Sequence, residues 1–331
     1  MKKIPSEVII GILALLLPLA VGHNGYMLRI LIMILYFAIA AYAWDQIGGY
    51  AGQISIGQAA FFAIGAYSVA ILYTQFKLNT IAGILIGTIV AGVFALIIGV
   101  IVLKLRGPYF TLSTLALAEI VRMLLLYFKK STGGAEGIFL PYDQMGFSFS
   151  TLQFKSNIPY YYIGLGLFIV AFCVSSYVRN SRFGYQLSAL RNDYDAAESI
   201  GINAMKVKVS AYVISAVLTA LAGGFYMVLD RYVDPTSSGG VNLSVQILLI
   251  TLVGGRRSKW GPLMGSIILI PLIEFTNTFF GSLRAGLPML VYSVILIVVV
   301  VYAPEGIHGL LQSIAKTTHW SWLKKTKSQG R

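Results

Sequence analysis

Charge is what this chain has least of. Only 11% of its 331 residues are Asp, Glu, Lys or Arg, against about 25% in soluble domains. With 57% apolar residues and a mean hydropathy of +0.78, too few charges exist to cover a water-exposed globule, and the long apolar runs exclude disorder. Lipid is the solvent the composition asks for. The single cysteine, Cys173, excludes an intramolecular disulfide and a paired-cysteine metal site. Three scattered histidines, His23, His308 and His319, exclude the usual zinc constellations. No GxxxxGK[ST] phosphate loop occurs, and the nearest string, Gly254-Gly255-Arg256-Arg257-Ser258-Lys259, has the wrong spacing. Gly164-x-Gly166 begins like a dinucleotide fingerprint, but it lies in an apolar run and Ile169 takes the third glycine's place. No Ser/His/Asp set is visible either, so neither a covalent reaction nor a cofactor of the chain's own is expected.

Acidic residues are scarcer than basic ones, 12 against 25, for a formal charge of +13. That balance alone suits nucleic acid, but the basic residues fall between apolar runs and form no single patch, so no nucleic-acid partner is expected. Ten runs approach the roughly 20 apolar residues that a membrane helix needs: 7–22, 27–43, 54–74, 80–103, 108–128, 158–178, 207–229, 243–255, 261–281 and 287–303. The expected fold is therefore an all-α polytopic bundle of about ten membrane helices in contact with lipid, one domain over 1–331. The eighth run is short and is expected to be tilted, broken or re-entrant. With a cytoplasmic amino terminus, seventeen of the 25 basic residues lie on the inner side, which predicts both termini in the cytoplasm. Lys2-Lys3 followed by the apolar run Val8 to Val21, with the small residues Ala20 and Gly22 near a cleavage point, also fits a cleaved signal peptide.

Glycine is abundant, 34 residues, as suits helices that pack closely in a membrane. In the third run Ser55, Ala59, Ala63, Ala66 and Ala70 share one helix face. Close packing is the plain reading of that face; a substrate path, with Ser55 and Gln58 as candidates, is the functional one. Gly83 with Gly87 and Gly261 with Gly265 are two further small-xxx-small pairs. Glu119 and Arg122 stand at i and i+3 in mid-span, placed to pair, either as a register-fixing ion pair or as a gate. Glu274 is the other mid-span acid and the candidate for proton coupling.

The longest polar connection, 179–206, carries helix punctuation. Asn192 or Asp193 can cap a short helix over Tyr194-Asp195-Ala196-Ala197-Glu198-Ser199-Ile200, and Gly201 can end it in the left-handed conformation. Ala196, Ala197 and Ile200 are expected on one small, apolar face that suits a groove on a soluble partner; the alternative is a solvated surface helix.

Ala189-Leu190-Arg191-Asn192-Asp193-Tyr194-Asp195-Ala196-Ala197-Glu198-Ser199-Ile200-Gly201-Ile202-Asn203 resembles the coupling segment of branched-chain amino-acid ABC importer permeases. Gly49-Tyr50-Ala51-Gly52-Gln53-Ile54-Ser55-Ile56-Gly57-Gln58-Ala59-Ala60-Phe61-Phe62, Gly107-Pro108-Tyr109-Phe110, Thr132-Gly133-Gly134, Trp260-Gly261-Pro262 and Pro304-Glu305-Gly306 fit the same family in order, from about Tyr36 to Leu311. The resemblance is to the M-type subunit. It implies a permease core over 27–311 with two inverted halves, similar to vitamin B12 importers, a cytoplasmic coupling loop at 179–206 and a basic cytoplasmic tail at 304–331. It implies further that Arg191, Asp193, Asp195, Ala196, Ala197, Ile200 and Gly201 couple to ATPase subunits. Implied partners are a homologous permease, two cytoplasmic ATP-binding subunits that bind the ATP, and an external solute-binding protein, in a bacterial or archaeal inner membrane. The implied cargo is a branched-chain amino acid, with urea, amides or other amino acids as alternatives. An ion-coupled secondary transporter using Glu119 or Glu274 is the alternative of another class. The chain departs from the family at Arg257, where a glycine is usual.

Overall fold

The computed structural model describes residues 24–141 and 152–281 without interruption, and isolated positions within 11–22 and 286–307. The first and tenth expected spans and the basic tail lie largely outside the described residues. Helix α1 (Gly25–Asp45) is capped by Asn24, whose side chain accepts from the amides of Tyr26 and Met27, and runs on into a π-helical turn at Gln46–Tyr50. Helices α2 (Gln58–Thr74), α3 (Thr80–Val102), α4 (Pro108–Tyr127) and a short α5 (Lys129–Thr132) follow. Strand β1 (Ile138–Phe139) leads to α6 (Ile158–Asn180), then α7 (Arg182–Asn192) and α8 (Tyr194–Ser199). The chain continues through α9 (Ala204–Asp230), β2 (Tyr232–Val233), α10 (Pro235–Gly239), α11 (Val241–Gly254) and α12 (Gly261–Phe280). The two strands pair antiparallel, Ile138 opposite Val233 and Phe139 opposite Tyr232.

Among the described residues, six helices are long and apolar enough to cross a membrane: α1 with its π turn, α3, α4, α6, α9 and α12. The expected span 54–74 needs correction, whereas 243–255 is short as expected. Residues 51–57 are not helical, so α2 keeps 17 residues, and α11 has 14 with a bend at Gly240 before it. At 1.5 Å per residue these reach about 25 and 21 Å, less than the roughly 30 Å of a hydrocarbon core. Each half of the chain thus sets a long buried helix, α1 or α9, ahead of a broken short one.

Helices α1 and α9 form the centre and the others surround them. Small residues set the distances. On α3, Gly83, Gly87, Ala91, Ala95 and Gly99 recur at every fourth position and are buried, whereas Leu85, Ile89, Val93, Leu96 and Val100 on the other side are exposed. The small stripe lies against α2 and α9: a Cβ on Gly83 would meet Val69, one on Gly92 would meet Val217, and one on Gly99 would meet Tyr212, each at 3.0 Å. A very close approach joins α2 and α9, where a Cβ on Gly65 would stand 2.0 Å from the Ala220 carbonyl oxygen and one on Gly223 would stand 2.0 Å from that of Phe62. Gly265, against α11, is as tight: a Cβ there would fall 1.9 Å from the Ile250 carbonyl oxygen.

The connections alternate as the span parity requires. Residues 45–57, 103–107, 181–203 and 255–260 gather at one end, joined by Arg191 to Gly49, Arg106 to Tyr194 and Asp45 to Arg257. Residues 75–79, 128–141, 152–157 and 231–240 gather at the other, joined by the strand pair and by Gln75 to Ser131.

Replacing Gly65 by Ala should destabilise the purified chain by about 1–3 kcal/mol through overpacking, read as a lower melting temperature in detergent. Gly166→Ala, with open space around the added Cβ, should leave it unchanged.

Candidate functional site

Residues 51–57 are backbone without a helix in which Ala51, Gln53, Ser55 and Gly57 are buried, so the polar groups closed off there need partners. The amide of Gln53 donates to the Ile47 carbonyl at 3.0 Å. The Ile54 carbonyl accepts from the Thr111 hydroxyl at 2.8 Å, and the Ser55 carbonyl accepts from the Trp44 indole at 2.8 Å. The amide of Ile56 donates to Thr114 Oγ1 at 3.1 Å and that of Gly57 to Ser55 Oγ at 3.3 Å. At the start of α2, the Ala59 amide donates to Ser244 Oγ of α11 at 2.8 Å. The first turns of the two short helices are therefore fastened to each other.

Ser55 and Gln58, the expected path residues, are fully buried in this junction. The Gln58 amide donates to Ser215 Oγ at 3.0 Å and accepts from Thr219 Oγ1 at 2.8 Å, so α2 is pinned to α9. In this conformation the Gln58 side chain holds helices together and the buried Ser55 hydroxyl accepts from the Gly57 amide, so both are engaged within the chain. Ser215, Thr219 and Ser244 are positions of this junction that the sequence reading missed; the one local signal was Ser215 and Thr219 at i and i+4 on an apolar helix.

The 179–206 connection is a helical hairpin, α7 and α8. Asp193 caps α8, its carboxylate accepting from the Ala196 amide at 3.0 Å, and Gly201 leaves the helix with φ +90°. Both features were expected from the sequence. The shared face was not as expected: Ala196 is exposed and Ile200 is 76% exposed, but Ala197 is 3% exposed, packed with Leu187, Leu190, Ala204 and Val207 of its own chain. Adjacent residues on a helix differ by about 100°, so Ala196 and Ala197 cannot share the centre of one face, and the chain's own core takes Ala197.

Three contacts tie this hairpin to the bundle. The Tyr194 ring lies between the Arg106 guanidinium, 3.8 Å from its centroid, and the Lys208 ammonium at 4.5 Å. Arg106 also stands 3.7 Å from the carboxylate of Asp195, both groups well exposed, a pair worth little on its own. Arg191 donates to the Gly49 carbonyl in the π turn at 3.2 Å, and its stem lies over Gly52, where a Cβ would meet Arg191 Cγ at 2.6 Å. Burial and the Arg257 and Arg256 guanidiniums push Arg191 below the ordinary arginine range, with Asp45 acting in the opposite direction.

Glu119 and Arg122 pair as the spacing required. Arg122 Nε donates to Glu119 Oε2 at 3.0 Å and its terminal nitrogen to Oε1. Arg122 also covers Gly239 of α10. The pair is not deep: its side chains keep 24% and 33% exposure, on a helix that otherwise exposes Leu112, Ile120 and Met123. Glu274 is half-buried in α12 near the opposite end, and its backbone carbonyl accepts from Thr278. The structure brings Arg191 to the junction that holds Ser55 and Gln58, and leaves Glu119, Arg122 and Glu274 apart from it.

Ala197→Asp should sharply lower the yield and melting temperature of the folded chain, because a buried unpaired carboxylate has no partner there. Ile200→Asp, on the exposed face, should change neither.

Two kinds of known protein share this sequence. The chain is 27% identical to the high-affinity branched-chain amino acid transport system permease protein LivM of Escherichia coli strain K12 over 316 residues, 89% of this chain and 72% of that one. It is 26% identical to the LivM protein of Salmonella typhimurium over 83% of this chain and 68% of the relative. A ribose import permease protein, RbsC of Haemophilus influenzae, is 29% identical over 65% of this chain and 64% of its own length. The sequence pattern of the branched-chain amino acid transport system / permease component family matches residues 26–302, and with the broken spans and the capped hairpin in place the chain belongs to that family of multi-pass ABC importer permeases.

Proposed function

We propose that this chain is one permease subunit of an ATP-driven importer that carries branched-chain amino acids into the cytoplasm. It works beside a homologous permease, two ATP-binding subunits that hold the ATP, and an external solute-binding protein. The family supports the permease role, and the LivM relatives support the cargo. The coupling-loop end faces the cytoplasm in this reading, in keeping with the basic residues that flank it. The observation that carries the coupling step is α8: a capped helix that points Ile200 outward while Tyr194, Asp195 and Ala197 anchor it to α3, α9 and their connections. A push on its outer face passes into the bundle through those anchors, and alternating access follows as a shift between two packed arrangements.

The Glu119–Arg122 pair indicates which side of α4 turns away from lipid. Charged atoms exposed in mid-membrane are expensive, so that face meets the second permease or the water-lined route between the two. The permease does no covalent chemistry in this mechanism; its side chains only change partners.

The test is reconstitution of the importer in proteoliposomes with its ATP-binding subunits and binding protein. ATP-dependent uptake of leucine, isoleucine or valine is expected. Uptake of ribose in their place would move the cargo to that of the sugar relatives, and uptake driven by an ion gradient without the ATP-binding subunits would overturn the reading. Ile200→Asp should preserve assembly and lose receptor-stimulated ATP hydrolysis and uptake together. In a double-mutant cycle, Glu119→Leu and Arg122→Leu should each impair assembly or transport, and the double variant should recover part of the loss, with a coupling energy of about 0.5–3 kcal/mol.

A further inference from the structure

Three of the sequence strings that carry the family resemblance lie far apart in the chain and meet near one acidic residue that none of them contains. Asp45 is the last α-helical residue of α1 and is 1% exposed. Its two carboxylate oxygens both accept from the Arg257 backbone amide, at 3.0 and 3.2 Å. The carboxylate folds back over Gly49, where a Cβ would stand 1.9 Å from Asp45 Oδ1. That same Gly49 offers its carbonyl to Arg191 of the coupling hairpin. Gly306 lies on the other side of the 255–260 turn, close enough that a Cβ there would meet Gly255 Cα at 2.5 Å. Asp45 and Gly49 thus join the 255–260 turn, the π turn and the hairpin through hydrogen bonds and a close packing contact.

Arg257 explains what the carboxylate holds. It adopts φ +62°, a left-handed conformation that a glycine takes freely and a bulky residue does not. The turn keeps this conformation with its amide aimed at Asp45. The Tyr42 hydroxyl donates to the Lys259 carbonyl at 2.7 Å, so α1 grips the turn at two points, but only the Asp45 end also reaches the coupling hairpin.

We propose that Asp45 is a positioning residue that clasps the coupling hairpin, the π turn of α1 and the 255–260 turn into one unit, so that motion of α8 moves both halves of the permease together. The proposal rests on the importer reading above. Loss of the carboxylate removes the acceptor for the Arg257 amide and frees the 255–260 turn from the π turn whose Gly49 carbonyl holds Arg191, which uncouples the hairpin from the spans. The side chain of Arg257 is dispensable in this arrangement, because glycine keeps the amide.

The experiment uses the complete importer in proteoliposomes, comparing the parent with Asp45→Ala, Asp45→Asn, Gly49→Ala and Arg257→Gly. Assembly, basal ATP hydrolysis and solute transported per ATP are measured for each. Asp45→Ala and Gly49→Ala should assemble and hydrolyse ATP but transport about tenfold less per ATP, a coupling change of ordinary size. Asp45→Asn should fall between these and the parent, and Arg257→Gly should match the parent. A normal ratio in Asp45→Ala, or damage in Arg257→Gly as great as in Asp45→Ala, would overturn the clasp. Failure of both Asp45 variants to assemble would make Asp45 a folding residue and equally overturn it. A parent complex without ATP-dependent uptake would instead count against the importer reading.

Discussion

Backbone that leaves a helix inside a non-aqueous interior must find hydrogen-bond partners there, and this requirement organises the chain around residues 51–57. Trp44, Ser55, Thr111 and Thr114 supply four of those partners, and Ser244 satisfies the first turn of α2. Because the donors and acceptors come from α1, α4 and α11, the break can exist only where those helices are already assembled. The glycine contacts serve the same end. Gly65 and Gly223 let α2 and α9 approach closely enough for Gln58 to bond both Ser215 and Thr219, and an unpaired amide at that depth would be far more costly than the glycines are.

The coupling hairpin is attached to this core by chemistry of a different kind. Stacked cations on Tyr194, a guanidinium on a backbone carbonyl and a small apolar contact at Ala197 are directional or short-ranged, and they hold α8 without burying it. A six-residue helix has little stability of its own, so its cap at Asp193 and its anchors decide its orientation. That arrangement leaves Ile200 exposed while Tyr194 and Ala197 are held by the rest of the chain.

Much of this was readable from local spacing. The α8 cap, the positive φ of Gly201, the Glu119–Arg122 pair and the packing role of Gly83 and Gly87 involve residues within a few positions of one another, where helical geometry alone says which side chains meet. The unwound start of the third run was not readable, because an apolar string looks the same whether helical or extended until its partners are known. Nor was the inward turn of Ala197, which depends on a core built from α7 and α9.

Composition and charge spacing by themselves determined that the chain is an all-α membrane protein of many spans, where most of those spans lie, and which loop carries a capped helix, since hydropathy and capping are properties of neighbours along the chain. The tertiary structure decided the rest. Asp45 and Arg257 are 212 positions apart and Ala59 and Ser244 are 185, and no periodicity relates residues at such separations. Their meeting follows from which helices close against which, set by the combined packing of the small-residue faces and by the need to satisfy every buried amide.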